Sequence, residues 1–210
     1  LKKYTEVTEV KNTNIDSLNR ELKNYNTVII GFHKVNKTWD KQEFTATELV
    51  WLQEISKHNK VILDIFSKPY SLLPLTNFDD IEGLVVSYQN SDISQVVSAE
   101  VLFGAIEAKG ELPVSINKQF NVNDGLSTVK LNRLGFTAPE NEGMNPLVLS
   151  KIDSIAKKAI DGKMTPGMQV LVARKGNVIF QTSYGHHTYD NTMKVSNSDL
   201  YDVASISKMI

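Results

Sequence analysis

Val61-Ile62-Leu63-Asp64-Ile65-Phe66 is apolar at every position but one. A strand with one face in water alternates apolar and polar residues. One that is apolar throughout is buried on both faces, as in a parallel sheet covered by helices. Two more such runs flank it, Thr27-Val28-Ile29-Ile30-Gly31-Phe32 upstream and Gly83-Leu84-Val85-Val86-Ser87-Tyr88 downstream. Helical patterns separate them. Ile15, Leu18, Leu22 and Tyr25 share a face over about 15–25, and Leu49, Leu52 and Ile55, with Trp51 beside them, mark a helix from about Thr45. A third helix is expected from Asp92 to Ala108, with Gly110 in the C-cap position. Strands separated by helices predict βαβ units, so residues 1–116 read as an α/β fold with an open, mostly parallel sheet flanked by helices.

The pattern then changes. Residues 117–145 hold Asn121, Asn123, Asp124, Gly125, Pro139, Asn141, Gly143 and Asn145 with little periodicity, and read as a linker. From Pro146 a helix is expected, with Leu149, Ile152, Ile155, Ala156, Ala159 and Ile160 as its apolar stripe and Gly162 at its end. Met168–Ala173 and Asn177–Thr182 are β runs joined by a hairpin-like Arg174-Lys175-Gly176. Residues 146–210 are thus expected to form an incomplete α+β segment, helix plus β-hairpin.

Bulk properties exclude more than they suggest. The 41% hydrophobic and 22% charged composition is that of an ordinary globular protein. A net charge of −1 gives no broad basic surface, so nucleic acid is not an expected partner. The absence of cysteine removes disulfides and thiolate metal sites, and no metal or cofactor is expected. No run of 18 apolar residues exists, so no transmembrane segment is expected. The chain opens on Leu1-Lys2-Lys3-Tyr4 and closes on Lys208-Met209-Ile210 within an apparent helix start. The expectation is that both ends are cuts inside a longer protein.

The chemistry-bearing pattern is Ser205-x-x-Lys208. On a helix, residues i and i+3 share a face, so the lysine reaches the serine hydroxyl. The helix N-terminus favours a developing alkoxide, and a partly desolvated lysine becomes able to accept the serine proton. Spacing alone does not single it out, because Ser115-Ile116-Asn117-Lys118 and Ser154-Ile155-Ala156-Lys157 fit too. Context does: Ser115 is expected at a strand end and Ser154 in mid-helix, whereas Ser205 follows a helix, a hairpin and a polar loop.

That context resembles the β-lactamase and penicillin-binding-protein family, in its class C-like branch. The resemblance is carried by Pro166-Gly167-Met168, the hairpin from Val170 to Ile179, Tyr184-Gly185, and Tyr201-Asp202-Val203-Ala204-Ser205-Ile206-Ser207-Lys208. It implies Ser205 as acyl nucleophile and Lys208 as its proton partner, details of the acylation base being disputed in that family. The family also needs a later Tyr-x-Asn or Ser-x-Asn element and a Lys-Thr-Gly-like strand. Tyr88-Gln89-Asn90 and Tyr189-Asp190-Asn191 have the first spelling but precede the serine, and Lys-Thr-Gly is absent. The site is therefore incomplete, and these 210 residues are expected to be inactive.

Ala99-Glu100-Val101-Leu102-Phe103-Gly104-Ala105-Ile106-Glu107-Ala108-Lys109-Gly110-Glu111-Leu112-Pro113-Val114-Ser115-Ile116 resembles the closing helix–turn–strand of the second domain of family 3 glycoside hydrolases. In that family the catalytic groups lie on an N-terminal barrel, so no glycosidase residue is carried over. Fusion of a β-N-acetylglucosaminidase of this family to a β-lactamase-like domain is a known bacterial arrangement. Together the resemblances imply a parent enzyme acting on peptidoglycan or related glycans in the periplasm or cell envelope. Its missing barrel and the rest of the serine hydrolase domain are the implied partners. The rival expectations are a non-catalytic α/β module for carbohydrate binding or domain packing, and a flavodoxin-like ligand domain with an unrelated tail.

Other polar residues read more plainly. Asp64 sits inside a strand, and Asp79-Asp80 reads as a solvated loop whose adjacent carboxylates point apart. His186-His187 faces opposite ways on an extended chain with no third ligand. His33 is expected at a strand end and His58 at a helix C-terminus; Trp39 and Trp51 are expected to pack rather than stack on sugar. Gly31-Phe32-His33 lacks the glycines of a phosphate fingerprint. The Val170–Thr182 hairpin should need more sheet; it is expected to pack on the α/β part, pair with another molecule or be mobile.

Overall fold

The computed structural model describes residues 1–34 and 42–204. The chain divides into two compact units, Leu1–Asn132 and Arg133–Ile210, so the division falls inside the stretch read as a linker.

In the first unit, β1 (Val28–His33), β2 (Val61–Phe66) and β3 (Ile81–Val86) form a parallel sheet in the order β1-β2-β3. The expected α/β fold with a mostly parallel sheet flanked by helices is therefore present. Register pairs Gly31 with Asp64 and Asp64 with Val85, and the ladder shifts at Val61/Ile62, where Glu82 is the extra residue. Alternation sends Val28, Ile30, Phe32, Val61, Leu63, Ile65, Leu84 and Val86 into one core. Leu18 and Leu22 of α1 (Ile15–Leu22) and Leu52 and Ile55 of α2 (Ala46–Ser56) cover it, with Leu72, Leu75 and Ile116. Val61, Leu63 and Ile65 have no exposed surface. Each such side chain contributes about 1.5–3 kcal/mol relative to exposure. The opposite face meets α3 (Asp92–Leu102), whose Ser98 and Ala99 are buried.

Local chemistry fixes the helix ends. Thr45 Oγ1 accepts from Glu48 N–H while the Glu48 carboxylate accepts from Thr45 N–H, a reciprocal capping box opening α2. Gly104 adopts φ +70, and the N–H groups of Gly104 and Ala105 donate to the carbonyls of Val101 and Glu100. That is the Schellman arrangement, and it stops α3 at Leu102 instead of Ala108. The expected C-cap at Gly110 is thus corrected: the apolar periodicity of Ala105, Ile106 and Ala108 continues, but the backbone has already turned.

Residues 105–132 then fold back on themselves as an irregular antiparallel excursion. Leu112 and Asn123–Asp124 exchange backbone hydrogen bonds, Thr128 N–H donates to Ala108 O, and Leu131 N–H donates to Gly104 O at 2.8 Å. The strand expected through Val114–Ile116 is reduced to one bridge between Ile116 and Phe120.

In the second unit, Pro146 opens α4 (Pro146–Leu149), Asn145 Oδ1 accepts from Leu147 N–H, and α5 (Lys151–Asp161) follows, capped by Gly162 as expected. β5 (Gly167–Arg174) and β6 (Asn177–Gly185) are antiparallel. Lys175 and Gly176 between them have φ 51 and 86, the signs of a type I′ turn, whose twist suits a hairpin. A strand not anticipated, β4 (Gly135–Phe136), lies parallel to β6 and gives the order β4-β6-β5. One edge of the hairpin is therefore occupied by chain from the stretch read as a linker. Glu142 anchors that chain, its carboxylate accepting from Asn177 Nδ2 at 2.7 Å.

Candidate functional site

Ser205 and Lys208 lie outside the described residues, as does Trp39. What leads to them is described. After β6 the chain turns back on itself: His187 N–H donates to Met193 O and Val195 N–H to Gly185 O, closing a ladder with a bridge between His186 and Lys194. The Gln169 side chain, on β5, donates to the backbone carbonyls of Ser196 and Asp199. His187 Nε2 pairs with Asp199 at 2.9 Å, so the two histidines serve a loop. The approach to Tyr201–Ala204 is thereby tied to the open end of the hairpin. Across the unit, Tyr184 donates to Asp153 Oδ1 on α5 at 2.6 Å. Partial burial and that bond to a carboxylate raise the phenol above its ordinary pKa.

The two rival Ser-x-x-Lys pairs are placed. Ser154 and Lys157 stand on the solvent face of α5, both exposed, so nothing desolvates the lysine. Ser115 lies in irregular chain beside the single Ile116–Phe120 bridge, and its Oγ accepts from Val122 N–H at 2.9 Å. Neither forms a nucleophile–base pair.

A second polar constellation gathers near the carboxyl ends of β1, β2 and β3, where open α/β sheets commonly bind ligands. Asp64 is 3% exposed. Ser87 donates to its Oδ1 at 2.7 Å and the buried Ser98, on α3, to its Oδ2. Burial raises the Asp64 pKa, against the opposing pull of the Ser98 and Ser87 hydrogen bonds and of His33. His33 lies flat on Phe66, ring centroids 4.5 Å apart, in the space that a Cβ on Gly31 would enter. Asn90 Nδ2 donates to Lys34 O, which orients the amide so that its Oδ1 accepts from His33 Nδ1–H at 3.1 Å. Lys34 pairs with Glu48 at 2.9 Å; burial opposes ionisation of Glu48, but Thr45 N–H and Lys34 hold it below the usual carboxylate pKa.

Chemically this cluster fastens α3 and the β3–α3 turn to the sheet. Both Asp64 oxygens are engaged by hydroxyls, so its carboxyl serves the packing of these elements. The sequence signal for it was a lone carboxylate in an otherwise apolar strand, since a buried charge demands donors. Asp79 and Asp80 lie in a turn, and Trp51 packs against the core. Among the described residues, no group of three or more His, Asp or Glu is placed to hold a metal ion, and no helix is long and apolar enough to cross a membrane. No family model, curated protein or solved structure matches the chain.

Proposed function

We propose that this chain is part of a bacterial hydrolase in which a family 3 glycosidase-like α/β domain precedes a β-lactamase-like serine hydrolase domain acting on peptidoglycan or related glycans. In this reading Ser205 is the acyl nucleophile and Lys208 its proton partner. Glycosidic cleavage belongs to a barrel outside these residues, and the 210-residue chain turns over neither substrate. The observation that carries the reading is the tether in the second unit. Helix, antiparallel hairpin and a loop pinned by Gln169 deliver the chain to Ala204, next to Ser205.

The test uses a fluorescent penicillin on two polypeptides, this chain and one extended at its C-terminus through the remainder of its reading frame. Acylation is expected only in the extended polypeptide and only with Ser205 present, so Ser205→Ala abolishes it. Labelling that survives in the extended Ser205→Ala variant, or no labelling in either protein, overturns the assignment. Labelling of the 210-residue chain overturns its expected inactivity.

A further inference from the structure

Every residue from Asn121 to Leu134 is exposed, and none belongs to the core. Val122, Leu126, Val129, Leu131 and Leu134 are among them, Leu126 being 88% exposed. Past the turn at Val122–Asn123 the stretch contains neither helix nor strand. Hydrogen bonds to the opposite limb of its excursion hold it. Asn123 N–H donates to Leu112 O, Leu112 N–H to Asp124 O, Thr128 N–H to Ala108 O and Leu131 N–H to Gly104 O. Ala108 N–H donates in turn to Thr128 Oγ1. Beyond Leu134 the chain enters β4, where Gly135 is buried.

An endoprotease takes its substrate as an extended strand, pairing with the backbone of several successive residues, so that backbone must first leave its own partners. Susceptibility is therefore set by the burial and hydrogen bonding of the chain around the bond to be cut. Ser127–Arg133 meets both conditions. Freeing it releases the bonds made by Thr128 and Leu131 and takes no side chain out of the core. Lys130 stands at its middle, exposed, flanked by Val129 and Leu131, which are 73% and 60% exposed. Other basic residues are worse placed. Lys118 sits in the turn between the bridged Ile116 and Phe120, and Lys175 in the tight turn of the hairpin. Arg133 is followed at once by β4, which pairs with β6.

We propose that Ser127–Arg133 is a processing site for an endoprotease of trypsin-type specificity. The acidic pocket of such an enzyme takes Lys130, and Val129 and Leu131 fill the adjoining subsites. The bond hydrolysed is Lys130–Leu131. A water oxygen bonds to the Lys130 carbonyl carbon as the C–N bond breaks, and both water protons end on the Leu131 nitrogen. A carboxylate and an ammonium group are left. The cut removes the covalent link between the two compact units, leaving β1–β3 on one fragment and β4–β6 on the other. The inference does not depend on the hydrolase reading.

Trypsin is the probe, added in trace amount to the 210-residue chain in the cold, with products followed by intact mass. Of the 23 lysines and arginines, Lys130 is expected to be cut first. Its cleavage should run at least about tenfold faster than any other, because local opening there is the least costly. Residues 1–130 and 131–210 should then persist, with amide protection retained in β1–β3 and in β5–β6. Lys130→Gln should slow the first cleavage at least about tenfold, and Lys130→Arg should keep it at the same bond. A first cut elsewhere, an unchanged rate for Lys130→Gln, or loss of β1–β3 protection on cutting overturns the proposal.

Discussion

β2 and β6 are both central strands of three-stranded sheets, yet five of the six β2 residues are buried, against Val178 and Ile179 in β6. β2 is parallel to both neighbours and has cover on each face. β6 is antiparallel to its long partner, and its unit adds only Leu149 and Ala156 to the buried apolar side chains among the described residues. Antiparallel ladders tolerate water on one face; parallel ones with their crossovers do not. The difference teaches where stability resides. The first unit is held by a core, the second by a turn, a ladder and side-chain ties.

If so, mutations should separate the units. Leu63→Ala, at a fully buried site, is expected to cost about 3 kcal/mol by denaturant titration. Hydrogen exchange should show the loss in the first unit, with β5–β6 protection unchanged; equal loss in both units would break the comparison. Asp64→Ala should cost about 2 kcal/mol, since it strands the donors of Ser87 and buried Ser98.

Asp64→Asn sharpens the same point through pH. A carboxyl whose pKa is raised by folding binds its proton more tightly in the native state. Its contribution is therefore most favourable below the unfolded pKa near about 3.9 and declines as pH rises through the folded value. The Asp64 contribution should fall across that window, so the stability difference between wild type and Asp64→Asn should shift against the wild type as pH rises. A difference constant across pH would break that assignment.

Smaller effects test the second unit. Gly176→Ala meets no neighbouring atom, so its expected cost of about 1 kcal/mol comes from φ +86 alone, read as faster exchange in the hairpin. Ser154→Ala, on the exposed face of α5, should stay within about 0.5 kcal/mol of wild type in thermal melts.

Legibility followed the range of the determining interaction. β2 was read to the residue because a continuous apolar run is a local signal, and the Lys175-Gly176 turn because its chemistry lies in two residues. β3 begins and ends two residues earlier than expected, at Ile81 and Val86. Glu82 bulges against Val61/Ile62, and at the other end Ser87 N–H makes the last bond to the sheet, to Ile65 O, before Tyr88 at φ 60 turns the chain away. Both are long-range demands that no window of sequence displays. β4 escaped notice because Gly135–Phe136 has no periodicity of its own; its partner, β6, lies about forty residues on. Of the expected site, Ser205 and Lys208 lie outside the described residues, whereas the Asp64 cluster depends on hydroxyls from two other elements.

The bond from Leu131 N–H to Gly104 O closes the base of the 105–131 excursion, whose two limbs pair with each other. A Cβ at Gly104 would stand 2.6 Å from the Leu131 side chain, so the clasp also restricts residue size. A paired excursion fastened at its base can change length where it is exposed, but not at its tip, where Ile116 is fully buried in the core. Loop-closure entropy sets the toll at about 0.6 kcal/mol per doubling. The exposed stretch 121–130 is therefore where relatives of this protein should differ most in length, with Ile116, Gly104 and its clasp retained.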